Sequence, residues 1–335
     1  MTHWAMQPPP RAILAIDTAP FAHSLSLLAA IRALRIGLPQ TFVAVAATTG
    51  VSELLAAARL ADETIDLGVI KPHNGSDGLK RLARLFKRAR HREYDLVLDF
   101  SPRLDTQVLS RFVMRARTVM PARLPRVIDM LIGGAQRGAG AGSYEAVLRQ
   151  IGVELRDERL GIIVPADEHA QFEKLLERSG SRGGEPIVVL YAADAGQEGG
   201  WPVSAFGEIG QRLANAFGAR IVALDEPGDA GFTTAIGALL SKSAIRLAAP
   251  RALQLAAAMA RASLVVTDAS GAAQMATDVC TPVIEITENQ SARRATSDFH
   301  RLVRGPSRGR ISTDEIYELA CTLIQSSRSA QLFQN

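Results

Sequence analysis

Between Leu264 and Glu285 the sequence changes character twice in a way that chemistry can use. Leu264, Val265 and Val266 form an apolar run suited to a strand buried on both faces, and Thr267-Asp268-Ala269-Ser270-Gly271 then breaks it with small and polar residues. Ala272, Ala273, Met275 and Ala276 follow as helix formers, and after Cys280-Thr281-Pro282 the run Val283 to Ile286 predicts the next parallel strand. A strand, a small-residue turn and a helix N-terminus aim backbone N–H groups and a positive dipole end past the strand's carboxyl end, a place suited to an anion such as phosphate. A plain helix cap has the same pattern, so Ser270 and Gly271 stand either as anion donors or as capping residues.

Positioning such groups takes a sheet. Ala12 to Ile16 predicts a strand, Asp17-Thr18-Ala19-Pro20 a turn, and Leu25, Leu28, Ile31 and Leu34 one face of the helix that follows. Strands at Thr41 to Ala46 and Thr64 to Leu67 flank a helix at Ser52 to Arg59, and Tyr94 to Phe100 is a further strand. The segment 79–92 carries Leu79, Leu82, Leu85 and Phe86 on one face of a cationic helix. It suits either an anionic lipid surface or ordinary packing of its leucine face with a solvated outer side. Gly133 to Gly142 is too glycine-rich for a regular element and predicts a loop, and Ser143 to Ile151 predicts a helix with Tyr144, Val147 and Ile151 on one face. The alternation then repeats. A helix at Ala166 to Ser179 leads to a strand at Pro186 to Tyr191, followed by a helix closing at Phe217 and a strand at Ala219 to Leu224. A helix near Thr233 to Ser241, a strand at Ala244 to Leu247 and a helix at Ala252 to Arg261 complete the run. Ser312 to Glu315 is a capping box before a last helix bearing Ile316, Leu319, Leu323 and Ile324. Strands alternating with helices in this way predict parallel sheets.

Several of these segments resemble the family 9 glycosyltransferases, the group of ADP-heptose:lipopolysaccharide heptosyltransferases. The segment from Leu264 resembles their LVV-G-N-D-[ST]-G-P-x-H-x-A-A-A-x-G-T-P-V, with Ser270, Gly271, Ala276, Thr281, Pro282 and Val283 in place. Tyr94 to Asp99 is similar to their YDLVID, and Trp201-Pro202 with Phe206 resembles their WP. The resemblance implies a GT-B fold, two doubly wound Rossmann-like parallel-sheet lobes with a cleft between them. It also implies transfer of a heptose-like sugar, with inversion and without a metal or cofactor, from a nucleotide-diphospho-sugar such as ADP-heptose to a lipopolysaccharide or other glycan. It places the base at His23, where the family has Asp, and acceptor-side residues at Asp17, Asp99 and Arg103; imidazole titrates close to neutral pH and suits a general base, and a solvated or capping histidine fits the same position. The nucleotide-sugar side would comprise Ala192, Trp201, Asp225, Asp229, Asp268, Ser270, Gly271 and Gln274. Asp225 and Asp229 stand where an acid can touch the ribose, and equally where turns are commonly acidic. Four positions depart from the pattern: His23 replaces Asp, Gly199 replaces the phosphate-pairing Lys, Ala269 replaces Asp with a carboxylate one place earlier at Asp268, and Gln274 replaces His. Since one lost electrostatic donor can cost about 10²-fold or more in rate, a non-catalytic binding or scaffold subunit stands as the alternative, with a protein partner.

With 335 residues the chain exceeds one ordinary hydrophobic core, which predicts two domains. The expected boundaries are an acceptor-side lobe at 1–155, a donor-side lobe at 156–310 and a terminal helix at 311–335 that crosses back to the first lobe. Hydrophobic residues at 47%, charged residues at 21% and the lack of a bilayer-length apolar run predict a soluble globular protein, and the two cysteines fit a reducing, cytoplasmic setting. The net charge of +4 favours anionic partners without identifying them, and the basic segment 79–92 suits an anionic glycolipid acceptor or the inner-membrane surface. The basic cluster lacks interleaved aromatics, which argues against nucleic acid. Cys280 and Cys321 lack metal-ligand spacing and are expected to be buried thiols.

Overall fold

The computed structural model describes residues 8–70, 83, 85, 87–89, 91–101, 117–119, 141–181, 183–193, 201–227, 231–240, 244–287, 297–305 and 311–332. The chain divides into two compact units, Met1–Ile163 and Val164–Asn335.

In the first unit, β1 (Ala12–Ile16), β2 (Phe42–Ala47), β3 (Glu63–Asp66), β4 (Leu96–Asp99) and β5 (Arg117–Val119) form one sheet in the order β3-β2-β1-β4-β5. Every pairing is parallel. The apolar runs explain why: β1 and β4 are buried along their whole lengths, as strands covered on both faces must be. The helices α1 (Phe21–Ser24), α2 (Ser26–Gly37), α3 (Thr49–Ala57) and α4 (Ala141–Gln150) accompany them. Within 79–92 the described residues 83, 85 and 87–89 are helical, with Leu85 and Ala89 buried in the core and Lys87 and Arg88 exposed. That is the arrangement of an ordinary domain helix; its remaining positions 79–82, 84, 86 and 90 lie outside the described residues, as do 133–140 of the glycine-rich loop.

The unit runs on past the expected boundary at residue 155. Arg32 on α2 donates to the Arg159 carbonyl at 2.6 Å and pairs with Asp157 at 3.5 Å, and Gly161, at φ +69°, lies so close to the Arg32 side chain that a Cβ would meet its Cδ at 2.9 Å. The connecting segment is therefore tied to the first unit.

The second unit opens with α5 (Ala166–Arg178) and continues through β6 (Ile187–Tyr191), α6 (Val203–Phe217), β7 (Arg220–Leu224), α7 (Gly231–Ile236) and β8 (Ile245–Leu247). α8 (Ala252–Arg261), β9 (Leu264–Thr267), α9 (Ser270–Asp278), β10 (Val283–Thr287), β11 (His300–Arg304) and α10 (Thr313–Leu332) complete it. The sheet order is β11-β10-β9-β6-β7-β8, again wholly parallel. Read from the other edge this is 3-2-1-4-5-6 in order of appearance, and the first unit is 3-2-1-4-5: both are doubly wound Rossmann-like α/β sheets.

Helix α6 lies close on β6 because Gly210 removes a side chain there; a Cβ would meet Leu190 at 3.1 Å and Leu240 at 3.0 Å. It stops at Gly218, whose φ of 62° is the left-handed conformation glycine adopts without penalty. Ser312 Oγ accepts the Asp314 N–H at 3.2 Å at the start of α10, and Ile316, Ala320, Leu323 and Ile324 then bury into the core of this unit. Cys280 is exposed and Cys321 half-buried, which corrects the expectation of buried thiols. Cys280 follows the last turn of α9 at φ 61°, where the chain reverses at the surface into β10.

Candidate functional site

In a doubly wound sheet the crevice for a ligand opens where the strand order reverses, beyond the carboxyl ends of the two central strands. In the second unit those strands are β6 and β9. The two residues after β6, Ala192 and Ala193, lie opposite Asp268, the residue after β9, and the Ala193 N–H donates to Asp268 Oδ1 at 3.0 Å. Thr267 Oγ1 takes the Ala269 N–H at 3.0 Å, which closes the turn and starts α9 at Ser270. No side chain caps α9. Ser270 is exposed, Gly271 is buried and Gln274 is half-buried.

Three carboxylates gather at this end of the sheet. Tyr191 ends β6 fully buried, with its hydroxyl 3.4 Å from Glu226 Oε1. Burial first, and then the charges of Glu226, Asp268 and Asp225, push the Tyr191 phenol well above its ordinary range. Asp225 is 1% exposed; its Oδ1 accepts the Thr233 N–H at 3.0 Å and its Oδ2 the Thr233 hydroxyl, so it braces the start of α7. Trp201, expected on the nucleotide-sugar side, is only 5% exposed. It packs edge-on against Phe206 at 4.8 Å and donates Nε1–H to the Ile311 carbonyl at 3.3 Å, so its ring is core.

In the first unit the equivalent crevice lies between the ends of β1 and β4. Thr18 donates its N–H to Ser101 Oγ at 2.5 Å, the counterpart of the Ala193 to Asp268 bond. Asp17 is fully buried beneath this point, accepting the Tyr144 hydroxyl and, at 2.9 Å, the Ala19 N–H. Burial raises the Asp17 pKa, opposed by bonds from Tyr144, Ala19 and Ser101 and by the charge of His23. Asp17 thus holds the turn that carries His23, which is half-buried in α1. Asp99 is fully buried at the end of β4, opposite Ile16.

The structure therefore gathers His23, Asp17 and Asp99 at one crevice, and Ala192, Asp225, Asp268, Ser270 and Gly271 at the other. Arg103, Asp229 and Gly199 lie outside the described residues. Sequence reading missed Ser101, Tyr144, Tyr191 and Glu226; a polar residue two places past the end of an apolar strand is the signal that marks Ser101 and Glu226, while the two tyrosines are legible only through their partners. Among the described residues no group of three His, Cys, Asp or Glu side chains is arranged to hold a metal ion. Nor is any described helix long and apolar enough to cross a membrane.

No protein-family model matches the chain, and no curated protein matches it in sequence. Solved structures do match in shape. A glycosyl transferase family 9 protein from Veillonella parvula superposes with a TM-score of 0.72 at 17% identity, covering 94% of this chain and 98% of its own. The E. coli ADP-heptose lps heptosyltransferase II gives 0.64 at 16% identity, with 95% and 99% covered. The Neisseria meningitidis UDP-GlcNAc 2-epimerase bound to UDP-GlcNAc gives 0.53 at 13% identity, with 94% and 91% covered. Over nearly its whole length, then, this chain has the GT-B type of fold that the family 9 glycosyltransferases share with nucleotide-sugar epimerases.

Proposed function

We propose that the chain is a glycosyltransferase whose second unit binds a nucleotide-diphospho-sugar, ADP-heptose or a relative, and whose first unit binds a lipopolysaccharide-type or other glycan acceptor. The observation that carries this reading is the crevice between β6 and β9, where Ser270 and Gly271 open a helix at the carboxyl end of the sheet. It is supported by likeness to a heptosyltransferase and to an epimerase bound to a nucleotide sugar. In the proposed step His23 takes the proton from an acceptor hydroxyl. The acceptor oxygen bonds to the anomeric carbon from the face opposite the diphosphate, and the bond from that carbon to the diphosphate oxygen breaks. The nucleoside diphosphate leaves with the electron pair, the anomeric centre inverts, and no metal ion takes part. The reaction would take place in the cytoplasm, at the inner membrane surface where such acceptors lie.

A specific observation favours a second reading. Asp268, Glu226 and Asp225 all act on one hydroxyl at the crevice, and Gly199 stands where the family has a phosphate-pairing lysine. A protein that has kept the fold and lost the reaction, serving as a binding subunit, would carry such a crevice. Incubation with ADP-, UDP- and GDP-sugars and a lipopolysaccharide core acceptor, followed by mass spectrometry, separates the two readings. A mass gain of one sugar on the acceptor supports transfer, and an unchanged acceptor with every donor supports the binding subunit.

A further inference from the structure

The second unit holds a cavity that shares no residue with the β6–β9 crevice. It has a volume of about 340 Å³ and runs along α5, bounded by Leu247 at the end of β8 and Gln254 in the first turn of α8. Gln171 is followed three and four residues on by Lys174 and Leu175, and these by Arg178, so one face of α5 supplies all four to the cavity wall. The charges of α5 fall into two groups. Glu168 pairs with Arg251 at 2.5 Å and Glu173 with Arg261 at 2.5 Å, so these acids already have partners. Lys174 and Arg178 are exposed and take part in no ion pair among the described residues. Closing the end of α5 does not occupy them either. The carbonyls of Leu175, Leu176 and Glu177 accept N–H groups of Ser179, Ser181 and Gly180, and those of Ser179 and Gly180 accept from Arg220 at 3.2 and 2.8 Å. Two like charges four residues apart on a helix repel, and an anion set against both turns that repulsion into attraction.

From this we infer that the cavity binds a small organic phosphate, with the phosphate held by Lys174 and Arg178 and an apolar body lying against Leu175 and Leu247. The wall supports both halves of that ligand. Leu175 and Leu247 are only half-buried, and covering them removes apolar surface from water. The carboxylate of Glu168, which also lines the cavity, sets the orientation: a phosphate takes the end that carries the free cations. A cavity of about 300–1,000 Å³ with mainly apolar walls and a few convergent polar groups is the usual form of a small-molecule site. The inference stands apart from the proposed function, because it uses neither the crevice nor the reaction.

The test is titration of the full-length protein with phenyl phosphate, followed by calorimetry and backbone amide NMR. Inorganic phosphate, which lacks the apolar body, and benzyl alcohol, which lacks the charge, are the controls. Phenyl phosphate should bind at least about tenfold more tightly than either control and shift the amides of Gln171, Lys174, Leu175 and Arg178 together. The double variant Lys174→Gln with Arg178→Gln should lose about tenfold or more of that affinity at low salt, and the loss should shrink as salt rises. Gln171→Glu, which offers Lys174 an anion of the chain itself, should weaken binding in the same direction. All three side chains are exposed, so the variants should keep the urea midpoint of the wild type. Equal binding of either control, or affinity untouched by the double variant, would mark Lys174 and Arg178 as solvated surface charges and overturn the inference. Absence of phenyl phosphate binding, or shifts confined to Ser270 and Gly271, would overturn it as well.

Discussion

Thr18 and Ser101 are joined by three polar contacts across the first crevice: N–H to Oγ at 2.5 Å, the Thr18 hydroxyl to the Ser101 carbonyl at 3.3 Å, and hydroxyl to hydroxyl at 3.1 Å. Both residues are buried. Ser101→Ala leaves the Thr18 N–H without its acceptor in a site closed to water, and should lower stability by about 1–3 kcal/mol, read as a lower urea midpoint with unchanged slope. An unchanged midpoint would show that the bridge adds nothing to the fold.

Asp17 makes a pH prediction. Burial raises its folded-state pKa, and the bonds from Tyr144, Ala19 and Ser101 only partly oppose the rise. The folded chain therefore keeps this proton at pH values where the unfolded chain has released it. The stabilisation is fully present below the ordinary aspartate range and is lost as pH rises through the folded-state value. The stability of the wild type relative to Asp17→Asn should accordingly fall from about pH 4 upward. Urea midpoints of both proteins at pH 4, 5, 6 and 7 give the difference, and one that is flat or grows with pH would contradict the assignment.

Trp201 tests the division between core and site. Its ring lies against Phe206 beneath α10, so Trp201→Ala should cost about 3–5 kcal/mol through the cavity it leaves. Trp201→Phe, which loses the bond to the Ile311 carbonyl, should cost about 1 kcal/mol and leave ligand affinity unchanged. Weakened nucleotide-sugar binding by the Phe variant would restore Trp201 to the site.

The elements were legible where both faces of a strand are apolar, as in β1, β4, β6 and β9. β11 escaped notice because His300, Arg301 and Arg304 interrupt its run, as suits an edge strand paired on one side only. Its His300 nevertheless turns inward, 2.9 Å from the buried Glu285 of β10. Neither crevice could be read from the sequence, because strand order is not a local property. Ala193 and Asp268 are 75 residues apart and Asp17 and Tyr144 are 127 apart, so only the finished sheets bring them together. The motif turn at Ser270 was visible, but the bond from the Ala193 N–H to Asp268 beside it joins partners that no spacing reveals.

His23 carries the prediction for the chemical step. If it takes the acceptor proton, His23→Ala should lower kcat by about 10²-fold or more, the usual worth of a positioned general base, with the donor dissociation constant unchanged. Turnover within about twofold of wild type would remove His23 from the mechanism and leave it a residue of the α1 turn.

The central claim, that a nucleotide sugar enters the crevice between β6 and β9, is tested most directly by backbone amide NMR during titration with millimolar ADP-, UDP- and GDP-sugars. The account predicts that at least one of them shifts the amides of Ala193, Asp268, Ser270 and Gly271 together. Shifts confined to the opposite ends of these strands, at Ile187 and Leu264, or none with any of the three, would contradict it.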